Sequence, residues 1–151
     1  MEKMTQLTVM LENRPGSLSD VVGAFAKAKA NIRAISINDG VHHGVLKVVP
    51  GDAGAARKAL QKAGVPFSEQ KVYALAVADR PGALADVCAR LAAEKINIDF
   101  IYGSACGCGD ECCECGCDAV LILSLAEGKS AAAVLDAKKK KPGKTKKGKK
   151  R

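Results

Sequence analysis

Six of the seven cysteines in this 151-residue chain crowd into one segment, Cys106, Cys108, Cys112, Cys113, Cys115 and Cys117, with the spacing C-x-C-x3-C-C-x-C-x-C. Thiolates are ligands for soft cations, but this is not the C-x2-C…C-x2-C spacing of a mononuclear zinc site. Six thiolates beside Asp110, Glu111 and Glu114 would concentrate a negative charge that is tolerable mainly with cations bound. Two other readings compete: reversible disulfides acting as a redox switch, or a loop whose thiols do nothing specific. Stable structural disulfides do not suit a cytoplasmic chain. Cys88 stands apart on an apolar stripe with Leu84, Val87 and Leu91, which is a core position. His42 and His43 are neighbours in a predicted strand and would point to opposite faces, poor geometry for a shared metal.

The elements around these residues are set by an internal repeat. A shift of 66 residues lays Arg14-Pro15-Gly16-Ser17-Leu18-Ser19-Asp20-Val21 on Arg80-Pro81-Gly82-Ala83-Leu84-Ala85-Asp86-Val87. Eleven of the 22 positions from 14 to 35 are identical under this shift, so the chain is a tandem duplication. In the first copy Leu7, Val9 and Leu11 alternate as a half-buried strand, and the period changes at Asn13-Arg14-Pro15-Gly16. Leu18, Val21, Val22 and Phe25 then form one helical stripe, with Pro15 suited to a helix start. A strand over 32–37 turns through Asn38-Asp39-Gly40 into another over 41–49. A helix over about 52–63 and a short strand near 65–70 close the unit, and Pro66 places that strand at a sheet edge.

The second copy repeats the order βαββαβ with strands over 72–78, 96–103 and 118–125 and helices over 84–94 and about 130–137. Its hairpin turn is replaced by the thirteen-residue cysteine segment 105–117, and no sixth strand is visible. The expected organisation is therefore a unit over 4–70, a second over 71–137 and a tail over 138–151. A lone unit of this length buries only about 60% of its unfolded surface, so the two are expected to pair side by side.

A βαββαβ unit whose first strand runs into Asn13-Arg14-Pro15-Gly16-Ser17-Leu18, with a copy at Asp79-Arg80-Pro81-Gly82-Ala83-Leu84, resembles the ACT domain, a small regulatory module that binds amino acids. Residues 4–137 are similar to stand-alone tandem ACT proteins. The resemblance implies an α+β fold of two ferredoxin-like units side by side, a mainly antiparallel sheet with helices on one face, and no catalytic domain. It places an amino-acid effector at the interface between the units. The contacts it implies are Asn13, Arg14, Pro15, Gly16, Ser17 and Leu18, then Asp79, Arg80, Pro81, Gly82, Ala83 and Leu84, with Ile101 and Tyr102 across the interface.

Such a loop suits an amino acid physically, because N–H groups at a helix N-terminus accept a carboxylate and Gly16 and Gly82 permit close approach. It also makes a good strand-to-helix turn with the site vacant. Asn13 offers a donor and an acceptor, whereas ionised Asp79 only accepts and repels a carboxylate, so one site is expected to dominate.

The cysteine pairs in turn resemble thiolate-rich stretches of metallothionein-like sequences, which implies Zn or Cu(I) bridged by sulfur. Because the crossovers are right-handed, the cysteine segment and the loop at 79–82 are expected at the same end of the sheet. A metal there would order the rim of the amino-acid site. The alternative function is a metal-binding or redox-responsive protein that uses the duplicated domain as scaffold.

Charge and composition bound the rest. The formal charge of +8 resides in ten basic residues between Lys138 and Arg151, leaving 14 basic against 16 acidic groups in residues 1–137. The body therefore lacks the basic face of a nucleic-acid-binding domain. The tail is expected to be disordered, and able to attract an acidic protein or nucleic acid by counterion release or simply to remain solvated. No apolar run approaches the roughly 20 residues of a membrane span and the start is polar, so a cytoplasmic chain without membrane insertion is expected. There is no phosphate-binding glycine loop and no nucleophile, base and orienter brought together, so the chain is expected not to be an enzyme and to require no cofactor. A homodimer remains open, since the missing sixth strand leaves an edge on the second unit.

Overall fold

A computed structural model describes residues 1–38, 40, 42–104, 118–126 and 133–135. The chain runs β1 (Glu2–Glu12), α1 (Ser17–Lys27), β2 (Ile32–Asn38), β3 (His43–Pro50), α2 (Ala53–Lys62), β4 (Phe67–Ala78), α3 (Ala83–Ala93), β5 (Ile98–Ser104) and β6 (Asp118–Leu125). Residues 133–135 are helical and bring Leu135 into the core beside Leu91. All six strands form one antiparallel sheet in the order β2-β3-β1-β4-β6-β5, an α+β fold.

The order is a palindrome of the repeat, with β4, β6 and β5 as the counterparts of β1, β3 and β2. At its centre β1 and β4 pair antiparallel, and Thr5 pairs with Lys71, its own counterpart 66 residues on. A pseudo-two-fold axis passes between them, and the Lys71 ammonium donates to Thr5 Oγ1 at 2.7 Å. Helices α1 and α3 begin and end at equivalent residues, each following a left-handed glycine, Gly16 at φ 94° and Gly82 at φ 87°. Only glycine adopts that conformation without steric cost. Lys29 and Lys95 repeat a second left-handed position after the helices.

One expectation needs correction. The strands read separately near 65–70 and over 72–78 are one strand of twelve residues, so a boundary at 70/71 falls inside β4. Pro66 stands just before the half of β4 that pairs with β1 alone, because pairing with β6 begins only at Tyr73, so among the described residues the strand start it precedes is open on one side. Glu2 and Lys3 of β1 lie against Ala74 and Tyr73, which also pair with Ile122 and Leu123 of β6, so the start of the second unit is paired on both sides at these two residues.

The odd positions Leu7, Val9 and Leu11 pack beneath α1 and α2 with Phe25 and Leu60. Tyr73, Leu91, Leu123 and Leu125 form the equivalent core of the second unit. The helix-free face is not flat. Lys47 Nζ on β3 lies 3.7 Å from the ring centroid of Phe100 on β5, although three strands separate them, so the sheet curls and that face is concave. Curling buries Val49, Val72 and Ile122, and also two polar side chains, Gln6 and Ser124, at 0% and 2% exposure. Both are satisfied, because Tyr102 Oη donates to Gln6 Oε1 at 2.9 Å, while Ser124 Oγ accepts from Gln70 at 2.7 Å and donates to Asp99 at 3.1 Å.

Candidate functional site

The loop from β1 into α1 opens with Asn13, which ties it to the β2–β3 hairpin. Its backbone N–H donates to the His42 carbonyl at 3.0 Å and its Nδ2 to the Gly40 carbonyl at 3.2 Å. Strand-to-helix loop and hairpin are thus at one end of the sheet. Arg14 then folds back across the turn, 2.8 Å from Glu12 and 3.6 Å from Asp20 in the first turn of α1. Its hydrogen bond to Glu12 holds the guanidinium pKa above its ordinary value. Arg80 repeats the gesture at 2.5 Å from Asp86. In both loops the arginine is a clasp between the turn and the helix.

Beyond the clasp, α1 starts at Ser17 with no side-chain cap on its N-terminus. Ser17 is only 8% exposed, and its Oγ is the one buried side-chain polar atom among the described residues without a hydrogen-bond partner. An unpaired buried hydroxyl costs about 1–3 kcal/mol, which sets Ser17 apart from the other buried polar side chains among the described residues. Ser17 borders a recess of about 230 Å³ that is also lined by Leu18, Ile37, Asn38 and Gly44. That is smaller than the roughly 300–1,000 Å³ of drug-sized sites. Leu18 and Ile37 are 38% and 53% exposed, leaving an apolar rim open to solvent.

The second loop has the same backbone but different chemistry. Ala83 stands for Ser17 and Gly103 for Ile37, so both the hydroxyl and the apolar wall are missing. Ile101 and Tyr102 sit on opposite faces of β5. Ile101 packs into the core of the second unit, and Tyr102 turns into the concave face, where burial pushes its hydroxyl up to about 12. Neither lines the recess at Ser17. Ile37, Asn38 and Gly44, which sequence reasoning did not single out, do. The signal was the topology, since β2 and the start of β3 border the first loop once Gly44 pairs with Leu11.

Residues 2–111 match the model of a family described as the ACT domain pair. The chain belongs to this family. Among solved structures it is similar to protein BT0572 from Bacteroides thetaiotaomicron, with 27% identity over 89% of this chain and 88% of that one and a TM-score of 0.80. The regulatory subunit of aspartate kinase from Thermus thermophilus, in a ligand-free form, has the same fold at 18% identity, 89% coverage of each chain and a TM-score of 0.63. So does E. coli aspartokinase III in complex with lysine and aspartate, at 16% identity and a TM-score of 0.53 over 90% of this chain and 30% of that one. No curated protein matches the sequence.

Within this ACT pair, Cys106, Cys108, Cys112, Cys113, Cys115 and Cys117 and the tail over 138–151 lie outside the described residues. The cysteine segment leaves from Ser104 and returns at Asp118, which pairs with Ala78 beside the loop at 79–82. Among the described residues no three His, Cys, Asp or Glu side chains gather to hold a metal, and Cys88 is a half-buried free thiol. Likewise, no helix among them is long and apolar enough to cross a membrane.

Proposed function

We propose that this ACT pair is a non-catalytic regulatory protein that binds an amino acid at the strand-to-helix loop of its first unit. The observation that carries the reading is the buried, unpartnered Ser17 hydroxyl at the uncapped N-terminus of α1. A carboxylate there would take the N–H groups of the first helical turn and the Ser17 O–H together, with the helix dipole favouring negative charge. The ligand side chain would rest on Leu18 and Ile37. That an aspartokinase of the same fold was solved with lysine and aspartate supports an amino acid as the ligand class. Asn13, Arg14, Pro15 and Gly16 hold the loop open, while Asp79, Arg80, Pro81, Gly82, Ala83 and Leu84 form a turn without the hydroxyl.

A thermal-shift screen of the twenty amino acids on reduced, metal-stripped protein tests this. A ligand at about a thousand times its Kd adds roughly 4 kcal/mol. A selective shift that Ser17→Ala diminishes is the expected result, and no shift with any amino acid overturns it. A shift with zinc alone would move the function to Cys106–Cys117, with the ACT pair as scaffold.

A further inference from the structure

A second cleft, of about 540 Å³, lies elsewhere, between α1 and α2 on the outer face of the first unit. Its floor is made of small side chains, Ala24, Ala28 and Ala59, and its rim carries Lys27, Lys58 and Lys62. All three lysines are exposed, and none has an ion-pair partner among the described residues. The acid on this rim, Asp20, is already drawn toward Arg14 at 3.6 Å. The cleft is thus a local positive site on a body whose residues 1–137 carry a net charge of −2.

In the second unit a side chain spans the same place. Arg90 occupies the position of Ala24, and its guanidinium crosses to the opposing helical segment, donating to the carbonyls of Val134 and Leu135, the latter at 3.1 Å. Ala133 stands where the first unit has Lys58 and Glu94 where it has Ala28. One repeat plugs the inter-helix groove with its own side chain; the other leaves it empty and rings it with lysines.

We propose that the α1/α2 cleft is a docking groove for an acidic amphipathic helix of a partner protein. Alanines on the floor let a third helix approach closely with its apolar stripe, the helix-in-groove mode of recognition. Lys58 and Lys62 are one turn apart on α2, with Lys27 on the other rim, so glutamates at i and i+4 along the edges of the incoming helix would meet ammonium groups on both sides. The site is distinct from the recess at Ser17, and its test does not depend on amino-acid binding.

The probe is a fluorescently labelled, amphipathic helical peptide of Ala, Leu and Glu, titrated against the full chain by anisotropy. Saturable binding that weakens with rising salt is expected, together with at least a tenfold loss, about 1.4 kcal/mol, in Ala24→Arg and in the double variant Lys58→Glu/Lys62→Glu. Ala24→Arg rebuilds the plug of the second unit while adding a positive charge, so it separates occlusion from attraction. The lysine variants are at exposed positions and leave the helices packed. Binding that survives all these changes is attraction to the basic residues of 138–151 and overturns the proposal, as does no binding at all.

Discussion

The two ACT units share a backbone and differ in what fills it. Under the 66-residue shift the helix bounds, the left-handed glycines, the arginine clasps and the irregularity near the start of the edge strand all recur. Among the side chains that differ, those at three places change what each unit offers. Ser17 and Ile37 became Ala83 and Gly103 at the loop; Ala24 became Arg90 in the helix groove; Ala34 and Ser36 became Phe100 and Tyr102 on the concave face. On that face the change is complementary, since aromatics from the second unit cover the centre of the sheet while small residues occupy the matching places in the first. Duplication supplied a symmetric frame, and substitution made the two units chemically different within it.

The largest expected effects test whether the frame is one body. Phe25 and its counterpart Leu91 are both almost fully buried, so Phe25→Ala should cost about 3–5 kcal/mol and Leu91→Ala about 2–5. Because β4 runs through both units, urea unfolding followed by circular dichroism should show a single transition in each variant. Two transitions, with only one displaced by each mutation, would separate the units and break the comparison.

Next comes the concave face. Tyr102→Phe strands the buried Gln6 Oε1 and should cost about 1–3 kcal/mol by the same denaturant series, whereas Ser36→Ala, at the counterpart position, should stay within about 0.5 kcal/mol. The pH dependence follows with a definite sign. The Tyr102 hydroxyl is held neutral in the fold, its pKa pushed from 10.0 to about 12 by burial. This contribution is fully present below pH 10 and is lost as pH climbs to about 12, because the unfolded chain ionises first. Alkaline unfolding should therefore be less steep in Tyr102→Phe. The smallest effects belong to the clasps. Arg14→Ala and Arg80→Ala break ion pairs at exposed side chains and should leave the denaturation midpoint close to that of the parent chain.

Much of the frame was legible in the sequence because it is written in local patterns. Leu7, Val9 and Leu11 alternate, Leu18 to Phe25 keep helical spacing, and the Arg-Pro-Gly turns sit where the period changes. Less legible was whatever depends on distant strands meeting. Gln6 and Ser124 are polar residues on the helix-free face, and the curl of the sheet buries both. Pro66 signalled the one-sided start of β4, but nothing local says that the strand runs on through twelve residues into the second unit. At the recess, Ser17 and Leu18 were named from the motif, but Ile37, Asn38 and Gly44 arrive from strands placed there by sheet order alone. Tyr102 was assigned to the ligand by family likeness and in the structure spends its hydroxyl on Gln6.

The central claim, that the first unit holds the ligand and the second does not, is tested most directly by titration calorimetry with the amino acid that gives the selective thermal shift. The account predicts one site per chain, weakened roughly 10- to 150-fold by Ser17→Ala through loss of a hydrogen bond to a charged group, and unchanged by Ala83→Ser. Two equivalent sites per chain, or an affinity indifferent to Ser17, would contradict it.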